Sequence, residues 1–233
     1  MRRVLIGVLA TIGAIALLLT AGGIAAAWLL FGRTPELPGQ MIVTLDLREG
    51  LPERHGGDPL GALGLAQPPT LIEITLGLER AARDPRVQGL VARLDGEGPG
   101  LAQIQELRSA LARFREQGKF AHAHADSFGE FGPGTVGYYL ATAFDEIHLQ
   151  PLGGLGLTGI VIETPLLREL LDKLGIEPSG AKRGAYTDAA DIFTDSSLSP
   201  EHRESLESLA SSIDQQIRTG IAEGRGMTIT EVG

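Results

Sequence analysis

The chain has 233 residues, 43% of them hydrophobic, no cysteine and a formal net charge of −9. That is enough for one substantial domain with a real core plus an extra segment, and it excludes disulfides, thiolate metal sites and thiol catalysis. Setting aside Arg2, Arg3 and Arg33 around the first apolar segment leaves 17 basic against 29 acidic residues, a balance of −12. A domain so acidic, without a basic stripe, is repelled by phosphate backbones, so no nucleic-acid partner is expected.

Val4 to Phe31 holds no charged residue over 28 positions. About 20 apolar residues suffice to cross the hydrocarbon core, so this run spans with some tilt. A cleaved signal peptide is the competing reading, but its apolar region is only about 7–15 residues long. The expectation is therefore a retained anchor over 1–33, in the membrane through residues 4–31, followed by a Pro-containing linker over 34–40. Arg2 and Arg3 precede the span and an acidic domain follows it, which keeps the N-terminus cytoplasmic and exports the rest. For a bacterial cell that means a single-pass protein of the inner (cytoplasmic) membrane with a periplasmic or extracellular domain over 41–233.

Beyond the linker, Met41 to Leu47 alternates and is rich in β-formers, a strand. Arg48 to Pro69 is Gly/Pro-rich and reads as a surface loop near the membrane. Thr70 to Arg83 puts Leu71, Ile74, Leu78 and Ala81 on one helical face, and Asp84-Pro85 ends it. Val87 to Leu94 is a strand, followed after Gly100 by a helix with Ile104, Leu107, Leu111 and Phe114 on one stripe; Gly118 closes it. Strand Phe120 to Ala125, helix Thr135 to Ala143 and strand Glu146 to Leu149 repeat the pattern. A Gly-rich loop, Pro151 to Gly156, leads to a short strand near Gly159 to Ile162, a helix from Pro165 to Leu174 and a strand near Ile176 to Ala181. Ser199-Pro200 opens a long helix whose stripe, Leu206, Leu209, Ile213, Ile217 and Ile221, is either core or an oligomer contact. Strands alternating with helices imply an α/β domain with a mostly parallel sheet. With no closing element after the last helix, the chain reads as half of something larger.

Three stretches, in this order, carry a resemblance. They are DPRVQGLVARLDGEGPGLAQIQELRSALARFREQGKF at 84–120, GTVGYYLATAFDEIHLQPLGGLGLTGI at 134–160, and LLDKLGIEP followed by GAYTDAADIFTDSSLSPEHRESLESL between Leu170 and Leu209. Together they resemble the N-terminal domain of the signal peptide peptidase SppA (protease IV) family, in its long two-repeat form. The resemblance implies a ClpP/crotonase-like fold of repeated ββα units and a membrane-bound serine endopeptidase that degrades cleaved signal peptides with a Ser/Lys dyad. It implies a lysine from the first repeat, a serine from a second repeat absent from this chain, and assembly as a tetramer. The partners it implies are signal peptides or other membrane-derived peptides, the second repeat and further copies of the chain; no cofactor is implied.

Where the family's base lysine follows Gly-x-Tyr, this chain reads Gly184-Ala185-Tyr186-Thr187, so Thr187 occupies the base position and cannot accept a proton there. Lys182, five residues earlier, is the possible substitute. In an extended chain it faces the opposite side from Thr187, some 16 Å away at roughly 3.3 Å per residue, and reads as a solvated lysine beside Arg183. Thr135 stands where single-domain relatives carry the nucleophile and is expected to cap its helix. The chain alone is therefore expected to be inactive. Gly153, Gly154, Leu155 and Gly156 lack the spacing of a phosphate loop and are expected, by resemblance, to form a flexible edge of a substrate groove.

His122 and His124 share one strand face, with Asp126 continuing the alternation, but a pair lacks the ligand count of a metal centre, and no metal is expected. His55, His148 and His202 have no companions at ligand spacing. Asp188 and Asp191 read as solvated or capping residues around a turn. The alternative to the peptidase is a non-catalytic, membrane-anchored scaffold or substrate-binding relative of the same fold. A crotonase-like acyl-CoA enzyme is disfavoured by the anchor and by the lack of a phosphate-binding feature.

Overall fold

A computed structural model describes residues 2–31, 37–55, 68–95, 98–130 and 132–232. It divides into two units, residues 1–39 and 40–233. The first contains helix α1 (Arg2–Phe31), which ends two residues short of the expected anchor boundary. Thirty residues at about 1.5 Å each give roughly 45 Å of helix. Its stretch Leu9–Trp28 has a mean hydropathy of 2.0, making it a candidate membrane span by length and composition. Thr11 and Thr20 turn their hydroxyls back onto the carbonyls of Gly7 and Ala16, at 2.9 and 2.8 Å, so neither is left unpaired in an apolar setting. The last two residues of the expected anchor (32–33), the first three of the expected linker (34–36) and the centre of the Gly/Pro-rich loop (56–67) lie outside the described residues.

The second unit is built on a four-stranded parallel sheet in the order β1 (Met41–Asp46), β2 (Val87–Leu94), β3 (Phe120–Ala125) and β4 (Glu146–Leu149). Helices α2 (Leu71–Arg83), α3 (Leu101–Glu116) and α4 (Thr135–Ala141) connect successive strands, as the alternation of periods predicts. The expected helical stripes are buried at Leu71, Ile74 and Leu78 from α2, with Ala81 partly buried, and at Ile104, Leu107, Leu111 and Phe114 from α3. They pack on the face made by Leu90, Ala92, Leu94, Ala121, Ala123 and Ala125. The alanines of β3 keep that face flat, which lets large helical side chains approach it. The opposite face carries Thr44, Phe120, His122, His124, Glu146 and His148, none of them buried. There the Phe120 ring occupies the space over its register partner Gly89, only 2.5 Å from where a β-carbon would sit.

Helix α7 (Pro200–Arg225) begins as its sequence dictates: the Ser199 hydroxyl accepts the His202 N–H at 3.1 Å, and Pro200 occupies the first turn. Gly226 ends it in the left-handed region at φ 63°. Its apolar stripe divides: Ile217 and Ile221 are core, while Leu209 is half exposed. The buried half lies against the turn after α4 so closely that Gly220 and Gly224 leave room for hydrogen only. Arg108 of α3 ties this junction together. Its guanidinium donates to the carbonyls of Tyr139 and Gly220 and to the Thr142 hydroxyl, and it stacks on the Tyr139 ring at 4.2 Å.

Three expected elements differ. No strand forms near 159–162 or near 176–181, and the helix expected over 165–174 is reduced to α5 (Arg168–Lys173), with short α6 (Asp191–Thr194) following and α8 (Ile229–Val232) closing the chain. Residues 159–162 are β-prone in composition, whereas 176–181 carry Pro178 and Gly180, which oppose a strand. Strand character, however, depends on a neighbour with which to pair, and among the described residues no strand lies beyond β4.

Three carboxylates are held well below their ordinary values. Glu73 is at about 2, through His55 and the backbone N–H and hydroxyl of Thr70, with which it forms a capping box at the start of α2. Asp84 is at about 2 beside Arg86, and Asp46 at about 2 beside Arg48. Because their folded pKa values lie below the ordinary 3.8–4.5, their contribution to stability is present above that range and disappears as pH falls to about 2. The thermal midpoint by circular dichroism is expected to fall steadily over that window. A midpoint independent of pH there contradicts these pairings.

Candidate active site

In an open parallel sheet the loops at the carboxyl ends of the strands are the ones that meet ligands. Here the loop after β3 and the loop after β4 pair with each other. Phe128 bridges to Leu155 in parallel: its N–H donates to the Gly154 carbonyl at 2.9 Å, and its own carbonyl accepts the Gly156 N–H at 2.7 Å. Gly134 N–H donates to the Gly156 carbonyl at 2.9 Å, and the Ser127 hydroxyl to that of Gly154 at 3.2 Å. A β-carbon on Gly153 would lie 2.2 Å from the Asp126 carbonyl, and one on Gly156 would lie 2.8 Å from that of Gly129. Gly153 and Gly156 are thus demanded by close backbone packing, while Gly154 meets only ordinary contacts at 3.5 Å or more, and backbone hydrogen bonds hold the expected groove edge as a shelf. Its side chains project outward: Leu152 is 94% exposed and Leu155 53%.

Thr135 does not cap α4. Gly134 holds that position, and Thr135 is the first helical residue, buried, with its hydroxyl accepting the Gly159 N–H at 3.1 Å. A side chain committed to tying down the segment after the shelf has a positioning task at this place in the chain.

Thr187 is exposed, and its hydroxyl donates to the Arg183 carbonyl at 2.6 Å across a turn that Gly184 enables at φ 92°. The chain is folded back here, so an argument from extended geometry does not apply to the Lys182–Thr187 pair. Lys182 is set aside for a different reason. It is engaged by Asp191, with Nζ 2.8 and 2.9 Å from the two carboxylate oxygens, and Asp191 is buried. This carboxylate, by hydrogen bonding first and charge second, raises the lysine pKa above its ordinary 10.5. A general base needs the reverse shift.

The remaining candidates also find partners that chain spacing hid. Asp188 lies 3.3 Å from Nε2 of buried His202, whose Nδ1 has no hydrogen-bond partner among the described residues. Asp191 is therefore held in an ion pair with Lys182, and Asp188 lies against the His202 ring. His55 pairs with Glu73 at 3.0 Å, and His148 with Glu146 at 3.1 Å. The alternation His122, His124 and Asp126, from which no metal was expected, forms no ligand cluster of its own among the described residues. Instead His122, Glu146 and His148 offer ligand atoms within 4.8 Å of one another, and Asp126 lies 3.8 Å from Arg93.

The shelf, α4 and β4 fall in the region that matches a family model, while β1 to β3 precede it. Residues 128–233 match the family model of peptidase family S49. Protease 4 of Haemophilus influenzae is 29% identical over 136 residues, which cover 58% of this chain and 21% of that protein. The chloroplastic serine protease SPPA of Arabidopsis thaliana is 27% identical over 157 residues, 67% of this chain and 22% of that protein. A putative signal peptide peptidase SppA of Enterococcus faecium is 24% identical over 162 residues, 66% of this chain and 43% of that protein. The C-terminal part of the chain is thus similar to peptidase family S49, and the curated relatives it matches are of the SppA (protease 4) type. The chain spans about a fifth of the length of the first two of these relatives.

Proposed function

We propose that this chain forms the N-terminal, substrate-holding part of a membrane-anchored signal peptide peptidase with a ClpP/crotonase-like fold, and that it is not itself competent for general-base catalysis. The observation that carries this reading is the shelf at 151–156. It presents apolar side chains from a rigid backbone edge, inside the matched region, as a cleft for apolar peptides requires. A Ser/Lys dyad needs an amine that is neutral near pH 7. Thr187 has none, and Lys182 is held protonated by Asp191. Leu157, Val161, Leu170, Leu174, Ile176 and Tyr186 are all substantially exposed. So much apolar surface over 30 residues supports a covering partner: a second repeat carrying the serine, or further copies in a homo-oligomer. The apolar α1 is the anchor in this reading, with the N-terminus cytoplasmic and the domain exported.

The test uses full-length protein in detergent and a fluorescent peptide with a signal-peptide-like apolar segment. Capture is expected, with little turnover. Leu155→Asp is expected to weaken capture about tenfold or more, the equivalent of about 1.5 kcal/mol from one buried leucine. Capture unchanged by Leu155→Asp and Leu152→Asp rules out the shelf, and rapid turnover by the natural protein rules out the loss of the base. The scaffold reading predicts neither capture nor turnover.

A further inference from the structure

We propose that His122, Glu146 and His148 form a binding site for a divalent transition-metal cation of the zinc class, on the open face of the sheet. The parallel register sets His122 of β3 directly opposite Glu146 of β4, and His148, two residues further on, returns to the same face. The histidine on the inner strand is fixed by neighbours on both sides. Phe120 lies against its ring at 4.8 Å, and the His148 ring centroid is 5.7 Å away.

The separations suit a metal as well as they suit a hydrogen-bonded pair. Glu146 Oε2 lies 3.1 Å from His148 Nε2 and 4.0 Å from His122 Nε2, so a single carboxylate oxygen stands between two imidazoles. Tetrahedral zinc with ligands at 2.0–2.2 Å needs ligand atoms about 3.4 Å apart. Reaching that from a set already within 4.8 Å takes about 1 Å of side-chain rotation. The two outer residues, Glu146 and His148, are more than half exposed and free to supply it. Two imidazoles and one carboxylate select zinc-class ions over calcium or magnesium, which demand oxygen ligands. Three protein ligands leave a fourth position open to water. The site would clamp edge strand β4 to β3, immediately before the shelf that begins at Pro151.

Untagged full-length protein in detergent, stripped with chelator, is titrated with Zn²⁺ by calorimetry. One cation per chain is expected. His122→Ala and His148→Ala should each weaken binding at least ~tenfold, since even outer-shell partners cost that much. His55→Ala should leave it unchanged. On the natural protein, Zn²⁺ should shield His122 and His148 together from diethyl pyrocarbonate, read by mass spectrometry, while His55 stays reactive. Binding that survives loss of both histidines, or an absence of joint shielding, overturns the site. If the alanine variants do not fold, the shielding pattern of the natural protein decides alone.

Discussion

Replacing Thr187 by lysine in the full-length protein is expected to raise peptide turnover by ~10²-fold or more, the low end of what a positioned general base contributes. The turn from Gly184 to Thr187 already presents residue 187 outward, and among the described residues the threonine hydroxyl is engaged with the Arg183 carbonyl. A lysine there inherits the exposed position without displacing a core contact. The pH profile reports what covers it. An exposed lysine stays charged up to about pH 10.5, so turnover climbs only in alkaline solution. Burial by a partner segment lowers the amine pKa and brings the rise toward neutrality. Equal turnover of Thr187 and Thr187→Lys forms from pH 7 to 10 would mean that residue 187 is not the base position.

The second large effect concerns stability. Gly224→Ala is expected to destabilise the domain by about 2 kcal/mol. A β-carbon at 224 would lie 1.9 Å from the Thr142 carbonyl oxygen, and a backbone atom in a packed turn cannot swing aside. Overpacking of this kind costs up to about 3 kcal/mol, and the better helix propensity of alanine returns about 1 kcal/mol. The clash wins, and the thermal midpoint should fall by roughly 4–8 °C for a domain of this size. Gly77→Ala in α2 is the matched control: nothing lies within 4 Å of that position, so only the propensity gain remains and the midpoint should rise. A fall at 77 or a rise at 224 would contradict the packing described.

The four strands, the stripes of α2 and α3 and the start of α7 were readable from spacing and end residues. Burial periodicity and caps are local properties, and these segments satisfy both. The strands anticipated at 159–162 and 176–181 were not correctly read: Ile160 and Val161 show β-forming composition whether or not a neighbour exists, and Pro178 and Gly180 already argued against the second. The shelf was recognised as Gly-rich, but its rigidity comes from carbonyls 24 or more residues away, at Asp126 and Phe128, which spacing cannot reveal. The same holds for charge pairs. Lys182 with Asp191, His202 with Asp188 and the grouping of His122 with Glu146 and His148 arise from turns and strand register. A separation of 24 residues places His122 beside Glu146 only once β3 and β4 are parallel neighbours.

The guanidinium of Arg108 has a practical bearing on how this protein can be dissected. One of its three acceptors, the Gly220 carbonyl, is supplied more than a hundred residues downstream. A shortened version ending before that residue would strand a cation in a half-buried cleft, short of a partner it cannot replace from solvent. Fragments intended for crystallisation or binding work should therefore run through Gly226, where the last long helix terminates, even when the segment of interest ends near residue 160.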